Sequence, residues 1–127
     1  MRVESLMHAG KHCPTVHRDT HMRDVIYEMS SKGLGMTCVV DGGGALVGVI
    51  TDGDLRRHMS SGAGILELAA TEVMTAGPVS IPPTTLATEA LNIMERRKIT
   101  SIPVVNGDTK TVVGVVHLHD LWRTEMF

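Results

Sequence analysis

Residues 48–57 read GVITDGDLRR and residues 114–123 read GVVHLHDLWR, so a short β-branched run, a polar turn and an Asp-Leu pair occur twice. Just upstream, GMTCVVD (35–41) followed by GGGALVGVI (42–50) matches TSIPVVN (100–106) followed by GDTKTVVGVV (107–116). Each stretch predicts two strands joined by a turn, with Asp41-Gly42 and Asn106-Gly107 in corresponding places. The copies stand 65 residues apart at Asp41 and Asn106 and 66 apart at Gly48 and Gly114, because the second turn is one residue longer.

Working outward, apolar residues recur at helical spacing before each hairpin: Met22, Val25, Ile26 and Met29, then Leu86, Ala90, Ile93 and Met94. Thr20 and Thr85 are the expected N-caps, and Arg96, Arg97 and Lys98 suit the negative end of the second helix. Short extended pieces with proline precede the helices, CPTV (13–16) and PVSIPP (78–83), themselves preceded by LMHAG (6–10) and VMTAG (73–77). The quoted Asp-Leu motifs open a further helix. The order is β-α-β-β-α, twice: an α/β (α+β) fold of two tandem repeats packed as a pseudo-twofold pair. The expected division is a first repeat at 1–62, a connection at 63–71 with a helical turn at Ile65 to Leu68, and a second repeat at 72–127. A period of this length exceeds that of solenoid repeats, which points to one paired unit rather than an array.

With 127 residues, 43% hydrophobic and 20% charged, the chain is long and apolar enough to fold around a core. Its net charge of -2 gives polyanions no general attraction, and Tyr27, Trp122 and Phe127 as sole aromatics provide no stacking platform for single-stranded nucleic acid. Neither a nucleic acid nor a membrane is therefore an expected partner, and no apolar run approaches the ~18 residues of a membrane span. Cys13 and Cys38 make no disulfide framework, and no signal peptide is recognisable, which fits the cytoplasm.

Thr51-Asp52-Gly53-Asp54 stands where a strand gives way to a helix. Free N–H groups at a helix start suit an anion, a hydroxyl and carboxylate there suit phosphate and ribose, and the same Thr-x-x-Asp spacing equally makes a capping box. From this motif alone the two readings weigh the same. The recurrence as His117-x-x-Asp120 favours binding, because histidine is a poor N-cap. His117 and His119 share one side of a strand end, but a metal needs three or four ligands and nothing fixes His8, His12 or Cys13 near them, so no metal site is expected. Cys38 reads as a small buried residue within a strand, and Cys13 lacks a positioned base; no catalytic residue is expected.

The doubled motif and the element order together resemble the cystathionine-β-synthase-type (CBS) domain, here as a tandem pair covering essentially the whole chain. The resemblance implies two clefts between paired repeats, commonly used to bind adenosyl or other nucleotides and regulate an attached protein. It also implies that Thr51 meets phosphate and Asp54 ribose. In the second repeat Asp120 matches, whereas His117 departs from the hydroxyl residue of the family.

Three stretches, LGMTCVVDGGGALVGVITDGDLRR (34–57), EALNIMERRKITSIPVV (89–105) and VVGVVHLHDLWR (112–123), resemble the C-terminal CBS pair of bacterial D-arabinose-5-phosphate isomerases. These enzymes feed 3-deoxy-D-manno-octulosonate (Kdo) to lipopolysaccharide synthesis. The resemblance implies a non-catalytic regulatory module whose enzyme activity belongs to an attached sugar-isomerase domain. Its expected ligand is a nucleotide or nucleotide sugar, with CMP-Kdo foremost, bound in the inter-repeat cleft without a cofactor. The expected contact set is Thr37, Thr51, Asp52, Asp54, Arg57, Thr100, Ser101, Pro103, His117, His119 and Asp120. A homodimer through the CBS modules is expected. The alternatives are an adenine-nucleotide sensor and an assembly module with no physiological ligand.

Overall fold

The structure, a computed structural model, describes residues 1–62 and 64–122. Residue 63 of the expected connection and residues 123–127 of the expected second repeat lie outside the described residues. The chain forms two compact units, and they do not follow chain order. One is continuous, Pro14–Pro78; the other is split, Met1–Cys13 together with Val79 onward.

In the continuous unit, strand β1 (Thr15–His17) leads to helix α1 (Met22–Lys32), then β2 (Met36–Val40), β3 (Leu46–Thr51) and helix α2 (Asp52–Ser60). A single turn α3 (Ala70–Val73) and strand β4 (Thr75–Ala76) complete it. The sheet order is β1-β2-β3-β4, with β1 parallel to β2 and the other pairs antiparallel. Its core is Met22, Val25, Met29, Val39, Ile50, Ile65, Ala70 and Val73 with their neighbours. The expected helical turn in the connection is a 3-10 turn, Ile65–Glu67.

The split unit repeats the plan with helix α4 (Ala87–Arg97), strands β5 (Ser101–Val105) and β6 (Val112–His117), and helix α5 (Leu118–Trp122). Here the flanking strands shrink to single bridges, Ile81 parallel to Val104 and His8 antiparallel to Val115. Val3, Ile81, Ala90, Met94, Ile102, Val104, Val116 and Leu121 are buried in its own core. Both hairpins carry the same irregularity, between Val39 and Val40 and between Val104 and Val105, so the extra residue of a bulge recurs with the repeat.

Each hairpin is completed by the short segment that precedes the other repeat in sequence: VMTAG supplies β4 to β3, and LMHAG bridges β6. Glycine makes both contacts possible. A Cβ on Gly48 would stand 2.4 Å from Met74 Sδ and 2.9 Å from the Thr75 carbonyl, and one on Gly114 would stand 2.6 Å from Met7 Sδ and 3.0 Å from the His8 carbonyl.

The expected N-caps also shift by one residue. His21 and Leu86 precede the helices, and neither offers a side-chain cap. The first helical N–H groups are instead taken by backbone carbonyls: Met22 donates to Leu68 at 2.8 Å, and Ala87 donates to Met1 at 2.7 Å. A strand-like neighbour thus does what a threonine hydroxyl was expected to do. At the other ends, Gly33 (φ 71°) closes α1 and Lys98 (φ 56°) closes α4, with Arg96 and Arg97 in the last turn where the dipole favours them.

Among the described residues no helix is long and apolar enough to cross a membrane.

Candidate functional site

The quoted motifs place two aspartates at equivalent strand ends. In the continuous unit β3 delivers Thr51 to the start of α2, where Thr51 Oγ accepts from the Asp54 N–H at 3.3 Å and the Thr51 N–H donates to Asp54 Oδ2 at 2.9 Å. The capping box is complete. The Thr51 hydroxyl donates to Asp54 Oδ2 at 3.2 Å, and from β4 the Thr75 hydroxyl donates to Oδ1 at 3.1 Å. Arg57 reaches the same oxygen from one turn on. That guanidinium is 68% exposed while Asp54 is nearly buried, so water screens the ion pair and the backbone and hydroxyl bonds hold the carboxylate.

In the split unit the His117 N–H donates to Asp120 Oδ2 at 2.8 Å, the same half of the box. The other half differs. His117 Nδ1 accepts from the His119 N–H at 3.1 Å, and the two rings meet edge to face with centroids 4.8 Å apart. His119 also lies 5.9 Å from the exposed ring of Trp122. The place of Thr75 is taken by His8, whose Nε2 stands 3.0 Å from Asp120 Oδ1. Asp54 and Asp120 are each only 3% exposed.

The remaining expected contacts are distributed around these centres. Asp52 is exposed at the first position of α2, its N–H donating to Gly35 at 3.2 Å. Thr37 is fully buried within β2 and its hydroxyl donates to the Cys38 carbonyl at 3.2 Å. Ser101 pairs directly across from His117, as Met36 does from Thr51, and the Thr100 carbonyl accepts from Leu118 at 2.8 Å. Pro103 is buried in β5, its carbonyl accepting from Ile81. The structure therefore gathers Thr100, Ser101, His117, His119 and Asp120 in the split unit, and Thr51, Asp52, Asp54 and Arg57 in the continuous one. Among the described residues no three His, Cys, Asp or Glu side chains are placed to hold a metal ion.

Two residues of these centres were absent from the expected set, Thr75 and His8. The signal lay in the alignment of VMTAG with LMHAG, which puts Thr75 and His8 in the same place.

Both capping aspartates, the shared bulge and the doubled β-α-β-β-α plan agree with what sequence comparison finds: the CBS domain model matches residues 3–61 and 70–121, and the chain belongs to the CBS domain family as a tandem pair. Such a pair is a regulatory module, not a catalytic one. More particularly, the chain is similar to the arabinose 5-phosphate isomerase KdsD of Yersinia pestis and of Escherichia coli (strain K12). Each is 42% identical over 123 residues, 97% of this chain and 37% of the relative's length. The chain thus spans just over a third of these relatives. Among solved structures, the CBS domain pair of protein MJ0100 in complex with 5'-methylthioadenosine and S-adenosyl-L-methionine superposes with a TM-score of 0.85 at 22% identity, covering 97% of this chain and 94% of that one. That likeness is one of fold.

Proposed function

We propose that this chain is the regulatory module of an arabinose-5-phosphate isomerase and that it binds a nucleotide or nucleotide sugar, CMP-Kdo first among them, as a feedback signal. The reading places it in the cytoplasm, attached to a sugar-isomerase domain and pairing with a second copy. Support comes from the 42% identity to KdsD, and from the adenosyl ligands held by the CBS pair of MJ0100. The observation that carries the choice of ligand is the exchange of Thr51 for His117 at equivalent strand ends, beside His119 and Ser101. An imidazole N–H donates to a carboxylate or phosphate, and it does so from a longer and wider side chain than the threonine hydroxyl it replaces. The carboxylate of a Kdo sugar is the feature that distinguishes CMP-Kdo from AMP.

Calorimetry tests this. CMP-Kdo is expected to bind more tightly than AMP, and His117→Ala to weaken CMP-Kdo while leaving the fold intact. A preference for AMP, or no effect of His117→Ala, overturns the choice of ligand.

One observation favours a second reading, an assembly module without a physiological ligand: Asp54 and Asp120 are nearly buried and bonded to the chain itself. A thermal-shift panel of AMP, ATP, S-adenosylmethionine, CMP and CMP-Kdo separates the two. A ligand at 100 times its Kd that binds only the folded state adds about 2.7 kcal/mol of stability. An absence of any shift favours assembly alone.

A further inference from the structure

We propose that His8 is a positioning residue of the ligand site in the split unit and that His8 and His117 set ligand preference jointly. This rests on the reading that the site around Asp120 binds a nucleotide or nucleotide sugar.

His8 is 112 residues from Asp120 in the chain, yet their side chains meet at 3.0 Å. The approach is fixed by the backbone: the His8 N–H donates to Val115 at 2.8 Å and the Val115 N–H donates back to His8 at 3.0 Å. Gly114 leaves the room this requires. An ionised carboxylate only accepts, so Nε2 carries the proton and donates to Asp120, which orients the ring. Asp120 is 3% exposed and the His8 side chain 30%, so the carboxylate is inside and the imidazole reaches from it toward solvent.

Capping does not call for this histidine. Asp120 receives the His117 N–H, which any residue at that position would supply, and in the continuous unit a threonine hydroxyl at the equivalent of His8 satisfies the carboxylate at 3.1 Å. The exchange at position 8 therefore has its reason outside the cap. It also accompanies the exchange at 117: the two residues that flank Asp54 are Thr51 and Thr75, and the two at the same places around Asp120 are both histidine. The two hydroxyls around Asp54 have been replaced together around Asp120 by two larger rings, which changes both the shape of the site and the polar atoms that line it. One of them, His8, is anchored by the buried aspartate.

The test uses the whole chain, with CMP-Kdo, CMP and AMP as probes in calorimetry and circular dichroism as the control for folding. His8→Thr, which restores the residue found in the sister unit, is expected to lower CMP-Kdo affinity about tenfold. His8→Gln, which keeps an N–H donor within reach of Asp120, is expected to recover to within about threefold of the starting affinity. The double variant His8→Thr/His117→Thr is expected to move preference from CMP-Kdo toward AMP. Should His8→Thr not fold, His8→Asn, whose amide is too short to reach Asp120 in the same way, replaces it with the same expectation. If the unaltered chain binds CMP-Kdo and the short-side-chain variant binds it equally well, or if His8→Gln is as weak as that variant, the role of His8 is overturned and the regulatory reading stands. If CMP-Kdo does not bind but AMP or CMP does, the choice of ligand falls, and His8 stands only if His8→Thr weakens the probe that binds. If none of the three binds, both fall.

Discussion

The two units solve one problem with different side chains. Each must end a strand, start a helix and satisfy a buried carboxylate with groups from its own hairpin and from a segment lent by the other repeat. Around Asp54 the solution is two threonine hydroxyls and an exposed arginine; around Asp120 it is a histidine side chain, a histidine backbone N–H and a cluster of rings. What is common to both, the aspartate and the backbone donor, belongs to the scaffold. What differs is free to serve recognition. A conserved geometry with a changed pair of flanking residues is thus more informative about ligand than either motif alone.

Removing the common part should cost most. Asp54→Ala strips the Thr51 N–H and two hydroxyls of a buried, charged acceptor, and a loss of about 3 kcal/mol is expected from charge-assisted bonds of this kind. Asp120→Ala should cost a comparable amount, both read as urea unfolding free energies. A loss below about 1 kcal/mol at one aspartate but not the other would break the equivalence of the two centres. Arg57→Ala, by contrast, should change stability by less than about 0.5 kcal/mol, because an exposed ion pair is screened.

The glycines come next. Gly48→Ala and Gly114→Ala each force a methyl group against a methionine sulfur and a backbone carbonyl, and about 2 kcal/mol of destabilisation is expected from such overpacking. The sulfur can swing aside and the carbonyl cannot. Truncating the methionine in the same chain, Gly48→Ala with Met74→Ala, should therefore recover little. Full recovery would show that the lent segment is held by its side chain rather than its backbone.

This lending of segments is where the sequence was hardest to read. The hairpins were legible because Asp41-Gly42 and Asn106-Gly107 punctuate β-branched runs, and the helices because their apolar residues keep a 3.6-residue period. The helix starts were misjudged by one residue, since Thr20 and Thr85 have the right chemistry for caps but Leu68 and Met1 supply carbonyls from afar. Local pattern carries no record of such a partner. The same holds for His8 and Thr75: one forms a single bridge and the other a strand of two residues, too short for a β signature. Thr51 and Asp54 were legible as both cap and candidate contact because both roles need the same spacing. The structure makes the capping role visible bond by bond.

Removing one flanking hydroxyl should have a smaller effect. Thr75→Val keeps shape and β propensity but deletes the donor to Asp54 Oδ1, and because residue 75 is exposed, water partly replaces it. A loss of about 0.5–1 kcal/mol in urea unfolding is expected. A loss as large as that of Asp54→Ala would mean that the lent segment, rather than the capping box, holds the carboxylate.

The smallest effect lies in the turns, where the two units again differ by one side chain. Asp41 Oδ1 accepts from the Gly43 N–H at 2.9 Å and the Ala45 N–H at 3.0 Å; Asn106 Oδ1 accepts from the Asp108 N–H at 2.9 Å and the Thr109 N–H at 3.4 Å. The backbone donors at Ala45 and Gly43 hold the Asp41 carboxyl below its ordinary 3.8, with Arg18 and His17 adding a little and slight desolvation opposing. A carboxyl whose folded pKa is depressed stabilises fully above its unfolded value and loses that contribution as pH falls through the folded one. The contribution of Asp41 is thus intact at neutral pH and fades below about pH 4. The neutral Asn106 turn has no such dependence. Asp41→Asn should lower the thermal midpoint slightly at neutral pH, and the gap from the unaltered chain should close as acidification protonates the folded-state carboxyl. Asn106→Asp should import the same acid sensitivity into the split unit. A gap that stays constant across that range would show that the charge of Asp41 does not stabilise the turn, and that the two turns differ only in length.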